Sequence, residues 1–326
     1  MTPQAPIRLS LAMSEYDHVR DLTCGAVKAD GIELDIHVLP IAELFQRFTH
    51  KREWQVSEMS LAMYAHLVSH GDTGLVAIPV FTSRVFRLSS FYVRAGSPLR
   101  DPSALRGKRI GYPDWMHTAG VYSRGYLMRE CGIGLDEIEW VQAGINTPGL
   151  QEPLPPILPP SVRRSSRPDN SLDAMLATGE IDAAMSSHAL ASFLDGSGRT
   201  VRLMPDFVER ETAHYKASGV FPIMHCVALR RDVVEAHPWA AKALMQAFTT
   251  AKDRSLARLR DGTISRFPYP WAFTWAEHAT QLFGADFWPY GIAPNRPTLE
   301  AFLDMCHAQG VTKGRLSMAQ LFPLET

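Results

Sequence analysis

Short apolar runs alternate along the chain with stretches whose apolar residues recur at helical spacing. That alternation predicts an α/β protein with mainly parallel sheets. Ile7 to Met13 reads as a first strand, opening into the polar loop Ser14-Glu15-Tyr16-Asp17-His18. Pro40 precedes a short helix that gathers Leu44, Phe45 and Phe48 on one face. A brief strand around Gln55-Val56-Ser57 leads to a loop, Glu58-Met59-Ser60, and then to a helix that Gly71 ends. Leu75 to Phe81 is apolar throughout, the pattern of a strand buried on both faces in the middle of a parallel sheet.

A second unit starts near Asp101, with a turn and a short strand over residues 105–113. Thr118 is placed to cap a helix running to Cys131, which Gly132 stops. Residues 148–160 hold six prolines and predict an extended loop. Ser171 then caps a helix that ends at Gly179, and Glu180 to Met185 returns as a strand stopping at Ser186-Ser187-His188. The two halves echo one another in pattern. From about Val227 the chain reads as helical, with Pro238 and Pro297 fitting first turns. A helical last third without a sheet of its own is expected to complete the first lobe. The expected layout is residues 1–94 plus 223–326 as lobe 1, residues 95–222 as lobe 2, and a ligand cleft between them.

Composition changes this picture only at the edges. The 326 residues are 46% hydrophobic and 21% charged, which is ordinary globular composition at a two-lobed length. Lys plus Arg total 33 against 34 Asp plus Glu, so the near-neutral chain lacks the basic surface of a general nucleic-acid binder. The segment Arg163-Arg164-Ser165-Ser166-Arg167 has no interleaved aromatics and reads as a solvated loop. Apolar stretches stop short of a membrane span, and the N-terminus lacks the pattern of a secretion signal. The expectation is a cytoplasmic protein, or one whose leader has been removed. Cys24, Cys131, Cys226 and Cys306 lie at least 80 residues apart and fit reduced thiols. His66 and His70 have metal-ligand spacing but no third ligand, and no phosphate-binding or nucleophile-elbow motif occurs. A homo-oligomer is compatible with all of this.

Several segments resemble the 4,5-dihydroxyphthalate decarboxylase family, whose fold is that of type II periplasmic binding proteins. They are Val56-Ser57-Glu58-Met59-Ser60-Leu61, residues 77–87 from Ala77-Ile78-Pro79 to Phe86-Arg87, and Gly107-Lys108-Arg109-Ile110-Gly111. Thr118-Ala119, Arg124-Gly125, Phe221-Pro222-Ile223-Met224-His225, Arg230-Arg231-Asp232-Val233, Phe287-Trp288-Pro289-Tyr290-Gly291 and Asn295-Arg296 continue the match in order over almost the whole chain. Thr82 stands where the family more often has proline, Leu88 where histidine is common, and His117 where other residues are usual. The resemblance implies a two-lobed fold and non-oxidative loss of a carboxylate from a hydroxylated aromatic acid, without metal or cofactor. The type reaction is 4,5-dihydroxyphthalate to protocatechuate and carbon dioxide.

That reaction needs groups to hold carboxylates, a proton donor for the ring carbon, and a partner for the phenolic oxygen. Arg84 and Arg87 follow a buried strand, and their guanidinium forks match carboxylates. Without the resemblance they read as surface arginines; with it, at least one is expected to bind ligand. Glu58 either orients a histidine, accepts a phenolic proton at a pKa raised by burial, or caps a helix together with Ser57 or Ser60. His225 is the first candidate proton donor and His188 the second, each set against a satisfied structural histidine. His117 and Thr118 at a helix start, together with Ser60, Tyr16 and Trp115, are candidate substrate contacts, with Asp17 and Tyr112 as further walls. The alternatives are capping for Thr118 and plain core packing for the aromatics. Arg124 is expected to form a structural ion pair. The rival function is a non-catalytic solute-binding protein for an aromatic or sulfur-containing anion, serving transport or sensing. The missing secretion signal weighs toward the enzyme.

Overall fold

The first apolar run folds where the pattern puts it. The computed structural model describes residues 5–150, 152 and 154–324. Met1–Gln4, in the stretch read for a leader, and Gln151 and Pro153 of the proline-rich loop lie outside the described residues. β1 (Ile7–Met13) is followed by α1 (Arg20–Thr23), β2 (Ile32–Val38), α2 (Ile41–Lys51), β3 (Val56–Ser60), α3 (Leu61–Ser69) and β4 (Leu75–Arg84). Leu44 and Phe48 of α2 are fully buried, and each contributes about 1.5–3 kcal/mol by leaving water.

The chain then builds a second sheet. It contains β5 (Phe91–Arg94), β6 (Arg109–Tyr112), α4 (Thr118–Glu130), β7 (Glu139–Gly144), β8 (Arg163–Ser171), α5 (Leu172–Thr178), β9 (Ala183–Met185), α6 (Ala191–Leu194), β10 (Thr200–Arg202) and α7 (Phe207–Ser218). The return brings β11 (Ile223–Arg230), α8 (Arg231–Ala236), α9 (Ala240–Arg260), α10 (Ala272–Phe283), α11 (Arg296–Ala308) and α12 (Met318–Leu321). The first sheet has the order β2-β1-β3-β11-β4 and the second β10-β5-β9-β6-β7-β8. In the first sheet β11 runs antiparallel to both neighbours, and in the second β5 does. Each reversed strand is the one that has just arrived from the other lobe.

Four local expectations are corrected. Glu58-Met59-Ser60 is strand rather than loop, and every residue of β3 is buried. β4 lies at a sheet edge rather than in the middle; α8 and α9 pack on it and the loop before α11 covers it, so its residues are buried all the same. The chain beyond Val227 is still strand to Arg230. The basic segment at Arg163 is edge strand β8, where Arg164 donates to the Tyr112 hydroxyl and pairs with Glu152. Because β5 pairs with β9 and β10, the first crossing between sheets lies at residues 85–90, ahead of residue 95.

α4 joins the lobes by packing on α3, α11 and β11. At Gly125 a Cβ would meet Met305 Sδ at 1.9 Å, so this glycine permits the close approach of α4 to α11. The buried Arg124 makes no ion pair among the described residues. It donates to Gln309 Oε1 (2.8 Å) and the Trp115 carbonyl (2.7 Å), and its guanidinium lies 4.0 Å from the centre of the Trp115 ring. No helix among the described residues is long and apolar enough to cross a membrane.

Candidate active site

β3 and β11 place the central pair of side chains. Val227 faces Glu58 across the ladder and His225 faces Ser60, so His225 is a diagonal neighbour of Glu58 on one sheet face. His225 Nδ1 lies 2.7 Å from Glu58 Oε1. A carboxylate can only accept, so Nδ1–H donates, and the other ring nitrogen, Nε2, makes no hydrogen bond among the described residues. The His225 side chain keeps 14% exposure while Glu58 has none.

The rest of the Glu58 cage comes from two other strands. The loop after β1 supplies the Ser14 amide to Oε2 at 3.0 Å and the Tyr16 hydroxyl to Oε1 at 2.6 Å. β4 supplies the Thr82 hydroxyl, 2.8 Å from Oε1. Thr82 reaches this position because β4 bulges: two steps along β11, from His225 to Val227, span five on β4, from Ser83 to Ile78. Pro79 lies in the detour and has no N–H for the ladder. The Gly291 amide takes the freed Pro79 carbonyl at 2.8 Å, and Trp288 Nε1–H takes that of Phe81 at 2.9 Å.

Burial by itself pushes the Glu58 carboxyl up. Hydrogen bonding and charge from His225, with the Tyr16 and Ser14 donors, outweigh it and hold the group below its ordinary value. Glu58 is therefore held ionised and enclosed beside His225, without the raised pKa that burial alone would give it, and it lies in a strand rather than at a helix cap. Burial, followed by the charge of Glu58, keeps the Tyr16 phenol far above its ordinary range. Phe45 stands edge-on to the His225 ring at 4.9 Å.

His117 faces this group from lobe 2, at the N-cap of α4, where it makes no side-chain cap. Burial first, then the charges of Arg87, His225, His188 and Arg124, pull its imidazole down to about 3. It is a neutral ring in a positive field. Ser187 Oγ lies 3.4 Å from its Nδ1. Thr118 occupies the first helical position rather than the cap, and its hydroxyl bonds Ser60 Oγ (2.9 Å) and accepts from the Ala62 amide (3.1 Å). Ser60 in turn caps α3 through the Met63 amide. Both hydroxyls are therefore engaged in joining the lobes.

The two arginines part company. Arg84 donates to the carbonyls of Phe221 (3.0 Å) and Pro289 (3.2 Å) and stacks 4.2 Å from the Phe221 ring, which makes it a structural clamp. Arg87 makes no side-chain hydrogen bond among the described residues, and its buried Nε has no partner. Burial lowers both guanidinium groups to about 10. Arg87 also lines a cavity of about 380 Å³ behind the crossings, with Tyr122, Tyr126, Glu211 and Met305. His188 is exposed on the lobe 2 loop and stands outside the Glu58 cage. Trp115 is sealed in the lobe 2 core, its ring N–H on the Gln309 carbonyl, and walls no cleft. Tyr112 is likewise buried, and Asp17 turns to Ser255 of α9 at 2.5 Å.

Over 317 residues the chain is 35% identical to a 4,5-dihydroxyphthalate decarboxylase of Comamonas testosteroni, covering 97% of this chain and 96% of the relative. The chain belongs to the 4,5-dihydroxyphthalate decarboxylase family. A second decarboxylase of that name, from Pseudomonas putida, is 32% identical over 201 residues, covering 61% of this chain and 78% of the relative. No protein-family model matches the chain. Among solved structures, the desulfurization enzyme DSZB aligns with a TM-score of 0.55 at 16% identity, over 97% of this chain and 96% of that one. The periplasmic aliphatic sulphonate binding protein SsuA of Escherichia coli aligns with a TM-score of 0.54 at 12% identity, over 99% and 94%. These two likenesses establish the two-lobed fold that the decarboxylase family shares with binding proteins.

In this decarboxylase-family chain, three neighbours of the central pair carry no sequence signal of their role. His18 lies between the rings of Tyr16 (5.3 Å) and Trp288 (5.2 Å), and its buried Nε2 has no partner. Burial lowers its imidazole to about 4. Trp288 stands out only as part of a family segment and Thr82 only as a departure from one. Neither signals its contact, Thr82 with Glu58 and Trp288 with the Phe81 carbonyl, because both depend on the bulge in β4.

Proposed function

We propose that this protein removes one carboxylate from a hydroxylated aromatic dicarboxylate, with 4,5-dihydroxyphthalate as substrate and protocatechuate and carbon dioxide as products. The observation that carries the reading is the hydrogen bond between buried Glu58 and the partly exposed His225 imidazole in a decarboxylase-family chain. The fold likeness to binding proteins is compatible with either function and does not outweigh the family relationship.

In the substrate a hydroxyl stands para to each carboxylate-bearing carbon. Electron density from that oxygen makes the ring carbon basic, and His225 donates its Nε2 proton there. The carbon becomes tetrahedral and the oxygen takes carbonyl character. The bond to the carboxylate then breaks, its electron pair returns to the ring, the aromatic phenol is restored and carbon dioxide leaves. The balance is one proton consumed for each carbon dioxide released. Glu58 stabilises the imidazolium before transfer and fixes the ring so that Nε2, not Nδ1, meets the substrate. Arg87, neutral His117 and the first amides of α4 take the retained carboxylate, and Tyr16 and His18 border the ring. Arg84 holds the second crossing and the loop before α11 together, while Ser60 and Thr118 hold the two lobes at the distance the site requires. His188, exposed and outside the Glu58 cage, is assigned no part in the proton transfer.

The test is anaerobic incubation of the purified protein with 4,5-dihydroxyphthalate in the presence of a chelator, following protocatechuate and carbon dioxide. Stoichiometric formation of both is expected. No turnover of this compound or of a panel of hydroxybenzoates overturns the reading.

A further inference from the structure

Glu58 Oε1 accepts from three side chains at once: His225 Nδ1–H at 2.7 Å, the Tyr16 hydroxyl at 2.6 Å and the Thr82 hydroxyl at 2.8 Å. The first two have evident duties, one as proton donor and the other bordering the substrate. Thr82 is wholly buried, and its hydroxyl makes no other hydrogen bond among the described residues. A buried hydroxyl placed on a carboxylate withdraws part of the negative charge that the carboxylate otherwise offers to its other partners. The chain also goes to structural lengths to put Thr82 there, through the bulge at Pro79 and the two donors, Gly291 and Trp288, that satisfy it.

We propose that Thr82 is a positioning residue which, acting through Glu58, weakens the hold of that carboxylate on the His225 imidazolium and so makes His225 a stronger acid toward the substrate. This rests on the decarboxylase reading for its consequence, though not for its physical basis. The titratable groups around the pair are Tyr16 and His18 from the loop after β1, Cys226 on the opposite face of β11, Tyr290 from the loop before α11 and His117 at the start of α4. Tyr16, Cys226 and Tyr290 are pushed up by burial and His18 and His117 are pushed down, so all five stay neutral around neutral pH. The Glu58–His225 pair thus carries the ionic interaction of this cluster, and Thr82 is a neutral donor that biases it.

The sign follows from charge. With the Thr82 hydroxyl removed, Glu58 presents more charge to His225, the imidazolium is held more tightly, and it releases its proton at higher pH. Isotope-labelled histidine in the full-length protein allows the His225 ring to be titrated by NMR in wild type, Thr82→Val and Thr82→Ser. The Val variant is expected to move the midpoint up by roughly half to one pH unit, and Ser to restore it. The high-pH limb of kcat should move the same way, with kcat lowered severalfold and KM changed by less than about twofold. If Thr82→Val does not fold, Thr82→Cys, a weak donor of similar size, should titrate between wild type and the direction predicted for Val. A Val or Cys titration superimposed on wild type overturns the proposal, as does a Ser variant that titrates away from wild type. If wild type fails to turn over 4,5-dihydroxyphthalate, the decarboxylase reading falls, and the NMR titration still decides the role of Thr82.

Discussion

His225 Nδ1 sits 2.7 Å from Glu58 Oε1, with the carboxylate completely buried and the imidazole 14% exposed. The pair is asymmetric: the acid is enclosed, while the imidazole keeps some exposure and its Nε2 has no protein partner among the described residues. Glu58→Gln keeps the shape of the cage and removes the charge. We expect kcat to fall ~10²–10³-fold with little change in KM, because the lost interaction is strongest while His225 is protonated. The high-pH limb of the rate profile should move down, since the imidazolium loses its counter-charge. A pH series on the variant checks both the size and the sign.

Arg84 and Arg87 separate binding from stability. Arg84→Ala strands the Phe221 carbonyl, leaves Pro289 with Asn295 as its remaining donor and opens a void between them, costing about 2–4 kcal/mol in chemical unfolding. Arg87→Met removes a half-buried cation that has no hydrogen-bond partner among the described residues, so stability should hold or rise. Its KM for the dicarboxylate should increase roughly 10- to 100-fold, as for the loss of a charge-assisted bond to substrate. Denaturant titration and steady-state kinetics on the two variants distinguish the roles.

Glu211 predicts a pH dependence at the first crossing. Its carboxylate accepts the Leu88 amide at 2.7 Å, and burial raises it to about 7. The unfolded chain releases that proton near pH ~4.3. Between these values the folded state holds a proton that the unfolded state lacks, so this group makes stability fall as pH rises from about 4.3 to 7. Glu211→Gln keeps an oxygen for Leu88 and abolishes the penalty. Thermal unfolding should show the variant equal to wild type at about pH 4 and more stable at about pH 8, by roughly 1–3 kcal/mol.

Gly125 reports on how closely the lobes are joined. The clash with Met305 means that Gly125→Ala must push α4 away from α11, at a cost of about 1–3 kcal/mol. The double variant Gly125→Ala with Met305→Ala should recover part of that loss, which a double-mutant cycle in urea measures.

Much of this architecture is legible in the amino-acid sequence. Ile7–Met13, the helix capped at Ser171 and the helix with Pro297 in its first turn follow from local patterning, which a strand or an amphipathic helix writes into neighbouring residues. β8 and β11 escape such a reading because a polar edge strand and a strand apolar on both faces lack the alternation that would mark them, and their partners define them instead. The same limit applies at the site. Glu58 and His225 stand out singly, but their pairing depends on the register of β11 against β3, and Thr82 on the bulge beside them. Trp115 resembles a cleft wall because aromatics at strand ends serve clefts and cores alike, and only burial separates the two.

The central claim is that this cleft performs chemistry and that His225 delivers the proton. The measurement that tests it most directly compares wild type with His225→Asn on 4,5-dihydroxyphthalate, recording binding by calorimetry and carbon dioxide release on the same samples. The account predicts turnover by wild type, a ~10²–10⁴-fold lower kcat in the variant, and a Kd within severalfold of wild type. Tight binding by wild type with no carbon dioxide released, or full turnover by His225→Asn, would contradict it.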